Sequence, residues 1–171
     1  MQLCVFSDTH NHDQAVRDVM LSHKTSDYFV FCGDGENEVD RFLEERPEFA
    51  PRMIRVRGNN DYGSLLPLTE NVPLPYGHRM LVLHGHRHFA GDYTRNLVAL
   101  AKQNHADIVV FGHLHARIDR WEEGVLLFNP GSAAQPRDGK PASFGLIDVM
   151  ESGILTSHGD MPRSSYGMRQ W

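Results

Sequence analysis

Five short runs, each four or five residues long and, but for Arg55, apolar on both faces, end in a cluster of aspartate, asparagine or histidine, usually beside a glycine. Leu3 to Phe6 leads into Ser7-Asp8-Thr9-His10, and Tyr28 to Cys32 into Gly33-Asp34-Gly35. Met53 to Val56 precedes Gly58-Asn59-Asn60-Asp61, Met80 to Leu83 precedes His84-Gly85-His86, and Ile108 to Phe111 precedes Gly112-His113-Leu114-His115. Runs this short, with no polar face, read as strands covered on both sides. In open α/β sheets, loops from neighbouring strands converge at the carboxyl ends, where ligands bind. Glycine there permits tight turns and close approach of backbones.

The stretches between the earlier runs carry helical spacing. Asp13 to Lys24 places Ala15, Val16, Val19 and Met20 on one face, with Asn11 or Asp13 as the expected N-cap. Glu38 to Arg46 does the same with Val39, Phe42 and Leu43 and stops at Pro47, and Tyr93 to Gln103 repeats the pattern. The second half changes character. Ile118 to Trp121, Val125 to Phe128, Phe144 to Val149 and Ile154 to Ser157 alternate with Glu-Glu-Gly, Pro-Gly-Ser and Glu-Ser-Gly turns, which predicts antiparallel hairpins. The sum is an α/β chain, βαβαβ followed by a β-rich half, with two packed sheets and helices outside. At 171 residues it has the length of one domain of ~150. We expect that domain over residues 1–160 and a loose tail over 161–171, from which Tyr166 and Trp171 could dock.

Seventeen basic against 22 acidic side chains leave a net charge of -5, so no stable nucleic-acid binding through a general attraction for polyanions is expected. Two cysteines, Cys4 and Cys32, both inside apolar runs, exclude a disulfide framework and a cysteine-rich zinc site. They read as small buried hydrophobes. Charge arrives at Asp8 before a leader's apolar core could form, and no window reaches the ~18 apolar residues of a membrane span. No membrane association and a cytoplasmic location are the expectations.

Taken singly, each polar cluster has a bland reading. Asp8-Thr9-His10 can cap a helix, Gly33-Asp34-Gly35 is a turn, and Gly58-Asn59-Asn60-Asp61 is ordinary loop chemistry. His84-Gly85-His86 and His113-Leu114-His115 say more, because two imidazoles at i and i+2 after a strand can share a cation. Five such clusters at successive strand ends supply Asp8, His10, Asp34, Asn59, His84, His113 and His115. One cation takes four to six ligands, so these seven with a bridging carboxylate, for which Asp34 is the natural choice, describe two cations. Oxygen and imidazole donors without thiolate suit manganese, iron, zinc or nickel. A pair of divalent cations can hold a hydroxide between them and clamp a phosphoryl group, so phosphoester hydrolysis is the expected chemistry.

The ordered set Asp-x-His, Gly-Asp, Gly-Asn-x-Asp, His-Gly-His and Gly-His-x-His over residues 8–115 resembles the calcineurin-like metallophosphoesterases. Asn129-Pro130-Gly131-Ser132 and the small size resemble their YfcE-like phosphodiesterase branch. The resemblance implies a four-layer αββα sandwich of two mixed sheets flanked by helices. It implies Asp8, His10, Asp34 and His115 around a first metal, with manganese foremost, and Asp34, Asn59, His84 and His113 around a second. It places His86 near the substrate phosphoryl group and Asp61 behind the ligands, these two and Asn60 forming the catalytic candidates. It also puts the Asn129 to Ser132 loop near the site, implies a small phosphoester as substrate, and is compatible with a homo-oligomer.

One position departs from the family pattern. Asn60 stands where many members have histidine and the small ones often cysteine, and an amide cannot act as a general acid at neutral pH. Arg87, Arg137 and Lys140 are further phosphate-contact candidates, and His12 and His88 lie nearest the site among the remaining histidines. The alternatives are a catalytically silent binding scaffold, like the phosphoesterase-like subunit of retromer, and a nuclease using the same metal pair. Metallo-β-lactamase-like and amidohydrolase patterns fail, because Arg87-His88-Phe89 follows His84-Gly85-His86 and Asp8-Thr9-His10 follows the first strand. A cyclic nucleotide, a dinucleotide or a small diester would each fit a site built from short loops.

Overall fold

Alternate side chains of the first strand, β1 (Gln2–Phe6), leave on opposite sides, the period-2 rule of extended backbone. Leu3 and Val5 join a core with Val30, Val82, Val110 and Phe128, whereas Cys4 and Phe6 pack with Ala15, Val16, Val19 and Phe42. A strand with two apolar faces needs a layer on each side, and the computed structural model, which describes residues 1–162, supplies both.

Strands β2 (Tyr28–Phe31) and β3 (Met53–Arg55) run parallel to β1. On its other side β1 pairs antiparallel with β9 (Ser143–Met150), and β10 (Gly153–Asp160) closes a five-stranded sheet ordered β10-β9-β1-β2-β3. The second sheet is ordered β4-β5-β6-β8-β7, formed by β4 (Thr69–Pro73), β5 (Arg79–Leu83), β6 (Ile108–Phe111), β7 (Arg117–Glu122) and β8 (Val125–Pro130). Here β5, β6 and β8 are parallel, and β4 and β7 are antiparallel edges. The sheets face each other across Leu3, Val30, Met80, Ile108, Leu126 and Ile147. Helices α1 (Asp13–Ser22) and α2 (Glu36–Glu45) cover the first sheet, and α3 (Tyr93–Gln103) covers the second through Leu97, Val98 and Ala101. The expected four-layer αββα sandwich is what forms.

Four details differ from the sequence reading. Strand β4 is not expected from the sequence, because Thr-Glu-Asn-Val-Pro offers only Val72 to an apolar face and carries Pro73, which an edge tolerates. The expected hairpins exist as β7–β8 and β9–β10, yet β8 also pairs parallel with β6, and the chain changes sheets between the hairpins. Helix α1 is preceded by His12, whose side chain makes no capping bond, rather than being capped by Asn11 or Asp13. Met161, where the tail was expected to begin, is buried in the core beneath α1, and its amide donates to the Ala142 carbonyl at 2.8 Å. Tyr166 and Trp171 lie outside the described residues. Among the described residues no helix is long and apolar enough to cross a membrane.

Candidate metal centre

The loops after β1, β2, β3, β5 and β6 meet at one rim, stitched by backbone hydrogen bonds. The Asp8 amide donates to the Gly33 carbonyl at 3.0 Å, that of His10 to Asp34 at 3.2 Å, and that of Gly112 to His84 at 3.2 Å. Gly33 and Gly58 make this approach possible: a methyl group on Gly33 would lie 2.5 Å from the Gly58 nitrogen. The chain also turns through the left-handed region at Asp8, His10, Asp34, His113 and His115, with φ between 43° and 69°. Side chains rarely adopt that conformation, although Asp and His tolerate it better than most, and such residues collect where packing holds them for function. Five of the seven expected ligands carry it.

Two groups of donors converge, Asp8 with His10 and His115, and Asp8 with Asp34 and His84. Asp8 is therefore common to both. His115 Nε2 lies 3.2 Å from Asp8 Oδ1, and His10 Nε2 lies 3.8 Å from the same oxygen. Asp34 Oδ2 reaches both groups, 3.4 Å from His84 Nε2 and 3.9 Å from His10 Nε2. Asn59 Oδ1 is 3.1 Å from His84 Nε2. His113 joins by its ring, 5.1 Å from that of His84 and stacked on Phe89, and its amide donates to Asp8 Oδ2 at 3.0 Å. All seven expected ligands thus sit in one connected cluster.

The donor chemistry fits divalent cations. Nδ1 of His84 lies 2.7 Å from the Cys32 carbonyl and Nδ1 of His115 lies 2.6 Å from the Gln135 carbonyl. A carbonyl only accepts, so Nδ1 carries a proton and each Nε2 points toward the carboxylates, able to coordinate once it holds no proton of its own, the arrangement of metal-ligating imidazoles. Asp8 is fully buried and its Oδ1 has no hydrogen-bond partner. A buried, unpartnered carboxylate oxygen facing imidazole lone pairs is costly unless a cation lies between them.

The titration of the cluster reflects the same crowding. Burial lowers the pKa of His10 and His113, reinforced by neighbouring cationic side chains and outweighing the pull of Asp8 and Asp34. His84 goes the other way: burial opposes its charge, but Asp34 and Asp8 raise it above the ordinary value. For Asp34 burial is likewise outweighed, by His84 and by both Asn60 donors, so its carboxyl is held well below the usual range.

Around the centre, backbone-directed side chains fix its geometry. Asp61 accepts from the amides of Asp34, Gly35, Glu36 and Gly58 at 2.7–2.9 Å, so both of its oxygens hold the Asp34 turn and the start of α2. That makes it a positioning residue rather than one facing reacting atoms. Asn60 donates to Asp34 twice, from its backbone at 2.8 Å and from Nδ2 at 2.6 Å. The Asn129 to Ser132 loop does lie at the site: Ser132 Oγ donates to the Asp8 carbonyl at 2.7 Å, and Asn129 Nδ2 to that of Gly112 at 2.8 Å.

Sequence reasoning passed over Glu38, whose buried carboxylate accepts from Thr9 Oγ1 at 2.9 Å and from the Asn11 amide at 2.6 Å. Nothing local in the sequence separates it from a helix-surface glutamate. His86 is half-buried beside His84 and His113, with its pKa lowered by burial and by the charges of His84 and Arg87. Arg137 is exposed; its amide donates to the His115 carbonyl at 2.8 Å and its charge is felt at His10. Lys140 sits in an exposed turn against Asp138. His12 is turned to the Thr9 and His10 carbonyls, and His88 stands next to Arg87 on the wall of a neighbouring cavity.

Residues 1–152 match the calcineurin-like phosphoesterase superfamily domain. The chain is 29% identical over 151 residues to the probable metallophosphoesterase YsnB of Bacillus subtilis, covering 87% of this chain and 85% of that protein. It is 31% identical over 168 residues to the phosphodiesterase YfcE of Escherichia coli, covering 86% of this chain and 88% of that one. A predicted phosphoesterase from Streptococcus pneumoniae superposes with a TM-score of 0.78 at 24% identity, over 92% of this chain and 87% of that chain, which is a likeness of fold.

Proposed function

The chain belongs to the calcineurin-like phosphoesterase superfamily, and from that premise we propose that it is a metal-dependent phosphodiesterase acting on a small phosphoester. The observation that carries the reading is the pair of Asp/His groups that meet at Asp8, with Asp34 Oδ2 within 3.9 Å of a histidine in each and one buried Asp8 oxygen without a hydrogen-bond partner. Asp8, His10, Asp34 and His115 would hold one divalent cation, and Asp34, Asn59, His84 and His113 the other. Bound there, the cations would lower the pKa of a water to about 7 and neutralise charge on the phosphoryl oxygens. Manganese is our first choice for oxygen and imidazole donors, ahead of iron, zinc or nickel.

The chain's own groups orient rather than react. The carbonyls of Cys32 and Gln135 fix the imidazoles of His84 and His115, and Asn60 and Asp61 hold the Asp34 loop. No hydroxyl or thiol nucleophile is needed. Asn60 can donate a hydrogen bond to a departing oxygen but cannot give it a proton at neutral pH, so esters with acidic leaving groups are the preferred substrates. The name of the phosphodiesterase YfcE, 31% identical to this chain, favours diesters over monoesters.

The test is a panel of phosphomonoesters, phosphodiesters and cyclic nucleotides, assayed with manganese, zinc, nickel and iron. Metal-dependent turnover of a diester is expected. Its absence with every metal would leave a binding scaffold and overturn the reading.

A further inference from the structure

His86 borders two features of the molecule. Its ring lies 5.6 Å from that of His84 and 6.3 Å from that of His113. The same residue lines a cavity of about 310 Å³ whose wall includes Leu68, Thr69, Leu83, Arg87 and Leu100. The fold builds this space from three elements. Thr69 and Leu83 are paired across β4 and β5, and Leu100 comes from α3. Gly85, at φ +103°, turns the chain between His84 and His86 with the Phe89 ring packed where a side chain would project. The cavity is at the small end of the ~300–1,000 Å³ typical of small-molecule sites. Three leucines line it, and among the described residues of its wall none is a carboxylate.

We propose that this cavity is a subsite for the organic arm of the phosphoester and takes a flat, uncharged ring of aryl or nucleobase size. The proposal rests on the phosphoesterase reading, because the subsite is defined by a phosphoryl group held at the Asp8 and Asp34 cluster. With the phosphoryl group there, one ester arm passes over His86, the residue common to the cluster's edge and the cavity. A ring removes the leucine faces from water, the favourable change that a short polar arm leaves unmade. Its face or edge meets the imidazole of His86 and the guanidinium of Arg87, contacts that aromatic systems make well.

The test is binding of methyl-, phenyl- and benzylphosphonate to the manganese-loaded protein by calorimetry, since a P–C bond is not hydrolysed. The better ring phosphonate is expected to bind about tenfold tighter than methylphosphonate. Filling the cavity by Leu100→Phe, or by Thr69→Phe on the exposed edge strand, is expected to cut that ring-over-methyl ratio about fivefold or more. Thr69→Phe leaves the core alone and keeps the question open to experiment if Leu100→Phe does not fold. A ratio near one in the wild type, or a ratio that neither variant moves, overturns the subsite while methylphosphonate binding leaves the phosphoesterase reading standing. Failure of methylphosphonate to bind, together with no hydrolysis of any ester, overturns both.

Discussion

His10 and His115, 105 residues apart in the chain, face each other through their Nε2 atoms at 3.0 Å. Because His115 Nδ1 is committed to the Gln135 carbonyl, its Nε2 brings a lone pair to that contact. A cation bound between the rings and Asp8 would replace that contact by coordination. Removing divalent metal is therefore expected to destabilise the fold. A metal present at a thousandfold over its Kd contributes about 4 kcal/mol, or roughly 10 °C in Tm for a chain of this size. Scanning calorimetry with manganese and with a chelator checks this, and equal Tm values would count against the centre.

Metal affinity is expected to rise with pH through the neutral range. His84, raised above the ordinary imidazole value by Asp34 and Asp8 against its burial, holds its proton to higher pH than His10 and His113, and a cation must displace it. His10 and His113, lowered by burial, give up their protons at lower pH and so contribute less of the proton release. As pH falls they protonate last, while Asp34 stays ionised, so acid release of metal follows the histidines. Manganese titrations from about pH 5 to 8 in buffers of different ionisation heat should show proton release on binding. Affinity flat over that range, or full activity near pH 4, contradicts the assignment.

Asp61→Ala strips four backbone amides of their acceptor. Charged hydrogen bonds of this kind contribute about 1.5–3 kcal/mol each and are not additive, so a loss of roughly 3 kcal/mol is expected. Asp61→Asn should recover only part, since its NH2 group meets amide donors. Urea denaturation measures the stability. Manganese titration should show weakened binding in both variants, which a purely structural loss remote from Asp34 would not produce.

Ser132→Ala removes one hydroxyl that donates to the Asp8 carbonyl and accepts from the amides of Ala134 and Gln135. The hydroxyl and most of its partners are buried, so about 1–3 kcal/mol of stability should go with it. Metal affinity should fall too, because the left-handed backbone of Asp8 loses its tether. A variant of wild-type stability would mean the loop is held by other contacts.

Asn60→His puts a titratable donor where the amide now stands. The dependence of rate on leaving-group pKa should flatten, with the gain largest, about tenfold or more, for the least acidic alcohols. If the slope is unchanged, proton donation at this position does not limit the reaction.

Much of the molecule was legible in one dimension. Apolar runs such as Leu3 to Phe6 announce strands with two buried faces, and their polar followers name the donor types. What was not legible has a common cause. Strand β4 reads as loop because its apolar content is a single alternate residue, Val72, and only pairing with β5 makes it a strand. Glu38 looks like an ordinary helix acid because its partners, Thr9 Oγ1 and the Asn11 amide, are over twenty residues away. Asp61 is named by its motif, but the amides it holds at Asp34 and Gly35 are as distant and only the fold reveals them.

The order of residues, by itself, determined the period of each element, hence which side chains share a face, and the kinds of atoms delivered at each strand end. Local periodicity cannot choose a partner, so tertiary structure alone decided that β8 lies beside β6 and that the chain changes sheets after it. It also decided that Asp8 is common to both donor groups. The left-handed turns at Asp8, His10, Asp34, His113 and His115 are unfavourable for an isolated peptide. They persist because the surrounding hydrogen bonds, Ser132 to Asp8 and Asp61 to Asp34 among them, over-determine the backbone there.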